Sequence, residues 1–400
     1  MKIALVANRW PWPPRRGDQL RASQLAGFLD HEYELTVLAP LPPRGEAPWA
    51  GPTSAELVPF EIGVWDRVYG LANAALTGKP LESGLLRSRR LLDLIEMVNP
   101  DLVILQLARL APWITRRLEG VPLIVDFVDS LSLNFERRAR LDKGWKRPLL
   151  KLEAKRLARA ERDLVAASAA SVVVAARDRD FIARALDRKL ASRLAVIPLA
   201  IDLSNIAPSD RQAGAGVNFV VTGSLGYYPT AEGLRWWLRD VWPPVRRALP
   251  EARLTIAGSR AGRGLSALIA RAGAELVADP ESLDGILGTA TASLVPLRAG
   301  SGSPIKVLEA WRAGAPVVST TWGAAGVEGR RGEDLLIADE PGAWVEALVA
   351  LSQDRGLRER LARGGLERLQ RDYAAQTVAA EWRRLISSVG AQSAILAAKP

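Results

Sequence analysis

Residues 300–327, GSGSPIKVLEAWRAGAPVVSTTWGAAGV, decide the fold, and they read as loop, helix and strand in succession. An apolar run at 292–297 precedes them and has the length of a buried strand. Gly300, Ser301, Gly302 and Ser303 make a small, pliant loop, and Pro304 then opens a short helix at the first-turn position that proline suits. Lys306 and Glu309 stand three residues apart on that helix and therefore share a face. Gly314 stops the helix, and 316–320 reads as the next buried strand. A helix N-terminus at the carboxyl end of a strand attracts phosphate through its unpaired N–H groups and its dipole. A cation and a carboxylate beside it suit a ligand carrying both phosphate and sugar hydroxyls, a nucleotide sugar.

The same alternation extends in both directions. Upstream, apolar runs of strand length lie at 3–7, 34–39, 102–105, 123–127, 172–175 and 194–197, with helical periodicity at 18–29, 85–98, 148–167 and 178–185. At 201–217, IDLSNIAPSDRQAGAGV, proline, serine, aspartate and glycine break any period and mark a linker. The pattern restarts with strands at 218–222, 253–257, 275–278, 292–297, 316–320 and 335–337. Helices fall between them at 230–249, 264–272, 282–287 and 305–313, then at 341–351, 356–371 and 375–388. Strands alternating with helices predict an α/β fold with parallel sheets. Two Rossmann-like domains are expected, 1–203 and 204–375, with a helix at 376–388 crossing back to the first and a frayed tail, QSAILAAKP. Ligands of such sheets gather outside the carboxyl ends of the strands.

Composition narrows the chemistry. With 400 residues, 48% of them hydrophobic, the chain can bury two cores. It has no cysteine, which removes disulfides and thiolate metal sites and fits a reducing compartment. A single histidine, His31, at a helix end, removes Ser/His/Asp catalysis and multi-histidine metal sites, so no metal is expected. The opening MKIALVANRW lacks a signal peptide's apolar stretch and reads as a first strand. The net charge of +10 is concentrated: residues 137–163 hold eleven Lys/Arg against four Asp/Glu, a local +7. This segment is either a solvated helix face or a contact for an anionic membrane surface or an acidic acceptor. No nucleic-acid recognition motif accompanies it. The expected location is cytoplasmic, with attachment to the inner face of the plasma membrane as the sharper alternative.

Four further loops carry candidate residues. The first strand is followed by NRWPWPPRRG, with Asp18 as the expected N-cap of the next helix. It lacks G-x-G-x-x-G and G-x-x-x-x-G-K-[ST] but brings Arg15, Arg16 and Gly17 to a helix N-terminus, with Arg21 one turn on. That set suits an anion, although arginines on a surface loop also need no ligand. Gly17 would allow close approach of backbone to phosphate. In LIVDFVDS, Asp126 and Asp129 lie at a strand end, placed for sugar hydroxyls or proton transfer, or for capping the helix that follows. Gly223 and Ser224 sit in a glycine-rich turn after the first strand of the second half. Glu309 could simply pair with Lys306, but its neighbours Val307, Leu308 and Ala310 are apolar, and vicinal ribose hydroxyls would satisfy a buried carboxylate.

These residues carry a resemblance. WPWPPRRGDQLRA, LIVDFVDS, TGSLGYYPTAEGLRWW with VWPPVRRALPEARLTIAG, and GSGSPIKVLEAWRAGAPVVSTTWGAAGVEG with GEDLLIAD occur in order across most of the chain. Together they resemble the GT-B-fold glycosyltransferases of family 4, the group 1 sugar transferases, in the branch associated with exopolysaccharide and PEP-CTERM export. The resemblance implies two Rossmann-like domains facing each other across a cleft and a retaining, metal-independent transfer. The donor would be a UDP- or GDP-linked sugar serving as substrate, with no other cofactor, and the acceptor a lipid-linked or oligosaccharide chain. Glu309 resembles the family glutamate that holds the donor ribose, and Lys306 a phosphate contact. Gly223, Ser224 and the loop Gly300, Ser301, Gly302, Ser303 complete the donor set. Arg15, Arg16, Asp18 and Arg21 fall to the acceptor, and Gly17, Asp129 and Lys306 to catalysis. Two departures stand out. Ser301 occupies the place of the family's first paired glutamate, and GSLGYYP lacks a basic pair often found there. A scaffold of the same fold is the alternative that Ser301 supports. A nucleotide-sugar epimerase would need further histidine and acidic residues around the sugar, and a chain with one histidine argues against it.

Overall fold

The computed structural model describes the chain except for residues 43–47, 110–117, 119, 205–215 and 398–400, and the side chains of 393–397. Strands buried on both faces need nearly unbroken apolar runs, and these runs assemble two parallel sheets. The first contains β1 (Lys2–Val6), β2 (Glu34–Pro40), β3 (Glu56–Phe60), β4 (Leu102–Gln106), β5 (Leu123–Val128), β6 (Ala170–Val173) and β7 (Leu194–Val196). Their order is β3-β2-β1-β4-β5-β6-β7. The second contains β8 (Asn218–Thr222), β9 (Arg253–Gly258), β10 (Glu275–Ala278), β11 (Ala292–Val295), β12 (Val317–Ser319) and β13 (Leu336–Ile337), ordered β10-β9-β8-β11-β12-β13. In each sheet the strand order reverses once, between β1 and β4 and between β8 and β11. Such reversals open a crevice where the loops part, the usual ligand position of a doubly wound sheet.

The chain forms two compact units, Met1–Leu199 with Val378–Pro400, and Ala200–Thr377. Residues 200–203 go with the second unit because the Ile201 N–H donates to the Tyr373 carbonyl at 2.8 Å. The final helix, Ala375–Ala397, continues well past 388, so most of the tail expected to fray is helical. It packs on the first unit: buried Trp382 lies 4.8 Å from the Arg21 guanidinium, and Arg383 pairs with Glu32 at 2.5 Å. Of the expected linker, 205–215 lies outside the described residues.

Some elements differ from the sequence reading. Strand β3 carries Pro59, which an edge strand tolerates because its outer N–H groups need no partner. The helix Val64–Thr77 leaves Trp65 and Leu76 in solvent, so its apolar residues do not form a single buried stripe. The helix Arg89–Val98 starts at the Ser88 cap, four residues later than its periodicity suggested. The helix following LIVDFVDS spans Leu131–Leu141, is capped by Ser130, and runs into the start of the basic segment. Beyond β8, the helix expected at 230–249 begins at Tyr228. It passes through a wider π turn at Trp237–Val241, ahead of Pro243 and Pro244, which cannot donate backbone hydrogen bonds.

Candidate functional site

In the second unit, four segments distant in sequence converge at the carboxyl ends of β8 and β11. Gly223, directly after β8, has φ +132°, where a side chain would be strained. A Cβ there would stand 3.0 Å from Lys306 Nζ, and a Cβ on Gly258, at the end of β9, would stand 1.8 Å from the Gly223 carbonyl oxygen. The two glycines thus let adjacent strand ends close up beneath the lysine. Lys306 projects from the helix Ile305–Arg312 and donates to Thr230 Oγ1 at 3.2 Å. Thr230 belongs to the helix Tyr228–Trp236, which opens just beyond the Gly223 turn.

Burial brings the Lys306 ammonium down to about 8, against the opposing pull of the Glu309 carboxylate. Burial also raises the pKa of Glu309, with Lys306 and Arg312 counteracting it and Asp284 reinforcing it. The Gly300–Ser303 loop is held from below, where Trp322 Nε1 donates to the Gly300 carbonyl at 3.1 Å and Thr320 donates its hydroxyl to the Leu297 carbonyl. Among the described residues, the buried hydroxyls of Ser303 and Thr222 make no hydrogen bond within the chain. Ser224 accepts from Arg260 Nη2 at 3.3 Å. Arg260 follows β9 and supplies a cation that GSLGYYP itself lacks. The segment therefore offers a cation, two unsatisfied hydroxyls, a glycine turn and a carboxylate. These are the groups needed to hold an anion alongside a polyol.

The first unit arranges its charges differently. Arg15 and Arg16 are exposed, and Arg16 occupies the N-cap of the helix Gly17–Leu29, with Gly17 as its first residue. Asp18 is not the cap. It lies in the first turn, accepts from Asn8 Nδ2 at 3.2 Å and pairs with Arg9. Burial lowers the Arg9 pKa, and Asp18 opposes that shift. Arg21 is fully buried, its Nε 2.9 Å from Asp126 Oδ2 and its two terminal nitrogens donating to the Pro198 and Ile197 carbonyls. Arg21 therefore leaves the acceptor set, because its donors are consumed inside the unit, and Asp126 is its counter-ion.

Asp129 follows Val128, a β-branched residue at φ +60°, where the β5–β6 register shifts. Backbone held in that region costs energy and clusters at functional sites. The Asp129 carboxylate favours the charged form of Arg177 and raises the pKa of Glu161. Glu161 is 1% exposed and accepts from Ser132 N at 3.0 Å and Ser130 Oγ at 3.3 Å. Burial pushes its carboxyl up to about 7, and the serine hydrogen bonds resist this. Sequence reading missed Thr230, Arg260, Glu161 and Arg177. Only Glu161 left a signal, since it shares a helix face with Glu153 eight residues earlier, obscured by the surrounding basic residues.

Residues 216–354 match the family model described as "Glycosyl transferases group 1". An uncharacterised 44.6 kDa protein of the cps region of Klebsiella pneumoniae is 28% identical over 170 residues, spanning 40% of this chain and 44% of that relative. The solved structure of sucrose-phosphate synthase from Thermosynechococcus elongatus superimposes with a TM-score of 0.77 at 13% identity, covering 98% of this chain and 100% of the other. HepE of Anabaena, in complex with UDP and glucose, gives a TM-score of 0.68 at 12% identity over 97% of this chain and 100% of its own. At such identities these structures establish the GT-B architecture, two Rossmann-like units.

Proposed function

Since the chain carries a group 1 glycosyl transferase domain over residues 216–354 in a GT-B fold, we propose that it transfers a sugar from a UDP- or GDP-linked donor, with retention at the sugar carbon. The acceptor is a lipid-linked or polysaccharide chain of cell-envelope or exopolysaccharide synthesis. The observation that carries this reading is the placement of Lys306 over Gly223 at the β8/β11 reversal, with its electrostatic partner Glu309 and, in the adjoining loops, the unpartnered hydroxyls of Ser303 and Thr222. The HepE complex with UDP and glucose, and the cps-region relative, support the donor class and the glycan setting.

In this mechanism Glu309 accepts hydrogen bonds from the donor ribose hydroxyls. Lys306, Ser303 and the N–H groups around Gly223 and Ser224 receive the diphosphate. As the bond from the sugar carbon to the diphosphate breaks, negative charge grows on the leaving oxygen, where fixed donors lower the barrier. That oxygen takes the proton of the incoming acceptor hydroxyl, whose oxygen bonds to the sugar carbon on the same face. The first unit takes the acceptor, with Arg15 and Arg16 for its anion, Gly17 for close approach and Asp129 for its hydroxyls. No bound metal or further cofactor takes part, and the protein works in the cytoplasm at the inner membrane face. There the 137–163 segment meets anionic lipid through Lys143, Lys146 and Trp145, a residue that is 81% exposed. Among the described residues no helix is long and apolar enough to cross a membrane.

A panel of UDP-, GDP- and ADP-sugars in a thermal-shift assay tests the reading. At a ligand concentration near 100 Kd, binding stabilises by about 2.7 kcal/mol. Stabilisation by one nucleotide class supports it. No response to any donor favours the scaffold reading, to which Ser301 in the first glutamate's place lends its weight.

A further inference from the structure

We propose that the groove along the helical hairpin formed by Leu131–Leu141 and Arg147–Ala167 binds a single amphiphile, a hydrocarbon chain carrying a phosphate or diphosphate head. The proposal rests on the glycosyl-transfer reading only in naming this amphiphile as the acceptor, whose anionic head then sits in this groove rather than at Arg15 and Arg16. The groove encloses about 710 Å³, within the ~300–1,000 Å³ of ligand clefts. Its walls are apolar because small residues face each other across the hairpin: Ala139 on one helix, Ala154 and Ala158 on the other, with Phe181 closing one side. Larger side chains at these positions would fill the space with protein. It extends from the interhelix turn, near Arg140 and Arg147, to Ser132 at the other end. Eight residues at the helical rise make that about 12 Å, long enough for an extended stretch of hydrocarbon.

The mouth of the groove has the opposite character. Arg147, Lys151 and Lys155 recur every fourth residue, so they form one line of charge along the helix. Arg140 is paired with Glu136, whereas among the described residues Arg147, Lys151 and Lys155 enter no ion pair. Beside them Leu149 and Leu152 are 51% and 47% exposed. An apolar trough under a row of unneutralised cations is complementary to one chain with an anionic head, and to neither half alone. Its inner end is also placed for chemistry. Ser132 is held by Glu161 and lies three residues from Asp129, so a head group seated there is delivered to the β5 strand end.

Farnesyl diphosphate is a soluble probe of this chemistry, with inorganic pyrophosphate and farnesol as its separated halves. Titrated into the full chain by calorimetry, farnesyl diphosphate should bind roughly tenfold or more tighter than either half. The surface variant Lys151→Glu with Lys155→Glu, and the groove-filling variant Ala158→Phe, should each weaken it by about tenfold. The charge variant lies on the exposed face, so it tests the site even if Ala158→Phe fails to fold. Equal binding of pyrophosphate and farnesyl diphosphate, or equal affinity in parent and charge variant, would overturn the proposal. So would phosphatidylglycerol vesicles that retain full binding to the charge variant while farnesyl diphosphate binds nowhere, since the surface rather than the groove would then be the contact. UDP titrated into the same samples separates the two readings. If the parent binds farnesyl diphosphate but no nucleotide, the transferase reading fails and the groove stands.

Discussion

The strand-end loops of the two units are built from similar residues but use them differently. In the first unit the charges named above meet partners, Arg21 with Asp126 and two carbonyls, Arg9 with Asp18 and Glu161 with two serines, and among the described residues the orphaned atom of the first strand-end loop is the neutral Asn8 Oδ1. In the second, partly buried Lys306 donates to a single hydroxyl, Glu309 is likewise partly buried beside it, and among the described residues two buried hydroxyls have no partner. Completed networks rigidify a fold, while incomplete ones remain costly until something fills them. On the proposed function, the difference separates charge that builds the scaffold from charge kept for a ligand.

Arg21→Met should produce the largest effect. Removing one partner of a buried ion pair costs about 3–5 kcal/mol, read as a lowered denaturant midpoint of the first unit. Nucleotide binding by the second unit should be unaffected. Adding Asp126→Leu should recover much of the loss. If Arg21→Met instead left stability intact and weakened acceptor binding, the contrast between the units would collapse.

Glu309→Gln should keep the fold and weaken donor binding, because an amide still bonds to hydroxyls but loses the charge-assisted part. Hydrogen bonds to charged groups contribute about 1.5–3 kcal/mol. An unchanged donor Kd in calorimetry would remove Glu309 from the site.

Lys306 sharpens the contrast through pH. Its folded-state pKa of about 8 lies below its ordinary 10.5, so burying the ammonium costs stability in full below pH 8, and the cost fades as pH rises towards 10.5. Lys306→Met should therefore raise the melting temperature at pH 7 while weakening nucleotide binding. In the parent, diphosphate affinity should fall above pH 8 by up to about tenfold per unit, and the variant's profile should be flat there. A parent profile flat to pH 10 would place the phosphate elsewhere. The smallest effect belongs to Trp322→Phe, which removes the indole N–H bond to the Gly300 carbonyl. Losing one such bond costs about 1 kcal/mol, expected as a several-fold weaker donor Kd with little change in melting temperature. A melting temperature lowered with the donor Kd unchanged would mean that Trp322 serves the fold and not the loop.

The sequence by itself determined the class of fold and picked out the residues proposed as the second-unit site. Short apolar runs bounded by turn residues and alternating with helical periodicity fit the strands of a parallel sheet, and the run of loop, proline and Lys306–Glu309 spacing is local information that survives without a partner. It also exposed the basic segment at 137–163. What it left undecided depends on contacts between residues far apart in the chain. Arg21 and Asp126 are 105 positions apart, and nothing in either neighbourhood distinguishes a buried counter-ion from a ligand contact. Gly223 and Lys306 look unrelated until β8 and β11 become neighbours, which is a matter of strand order rather than composition. The hairpin groove exists only because the helix Leu131–Leu141 packs beside the next one, lining the space between them with three alanines. Periodicity specifies which face of an element is apolar. Only the packed structure decides what that face meets, and so which charges are paired and which are left for a ligand.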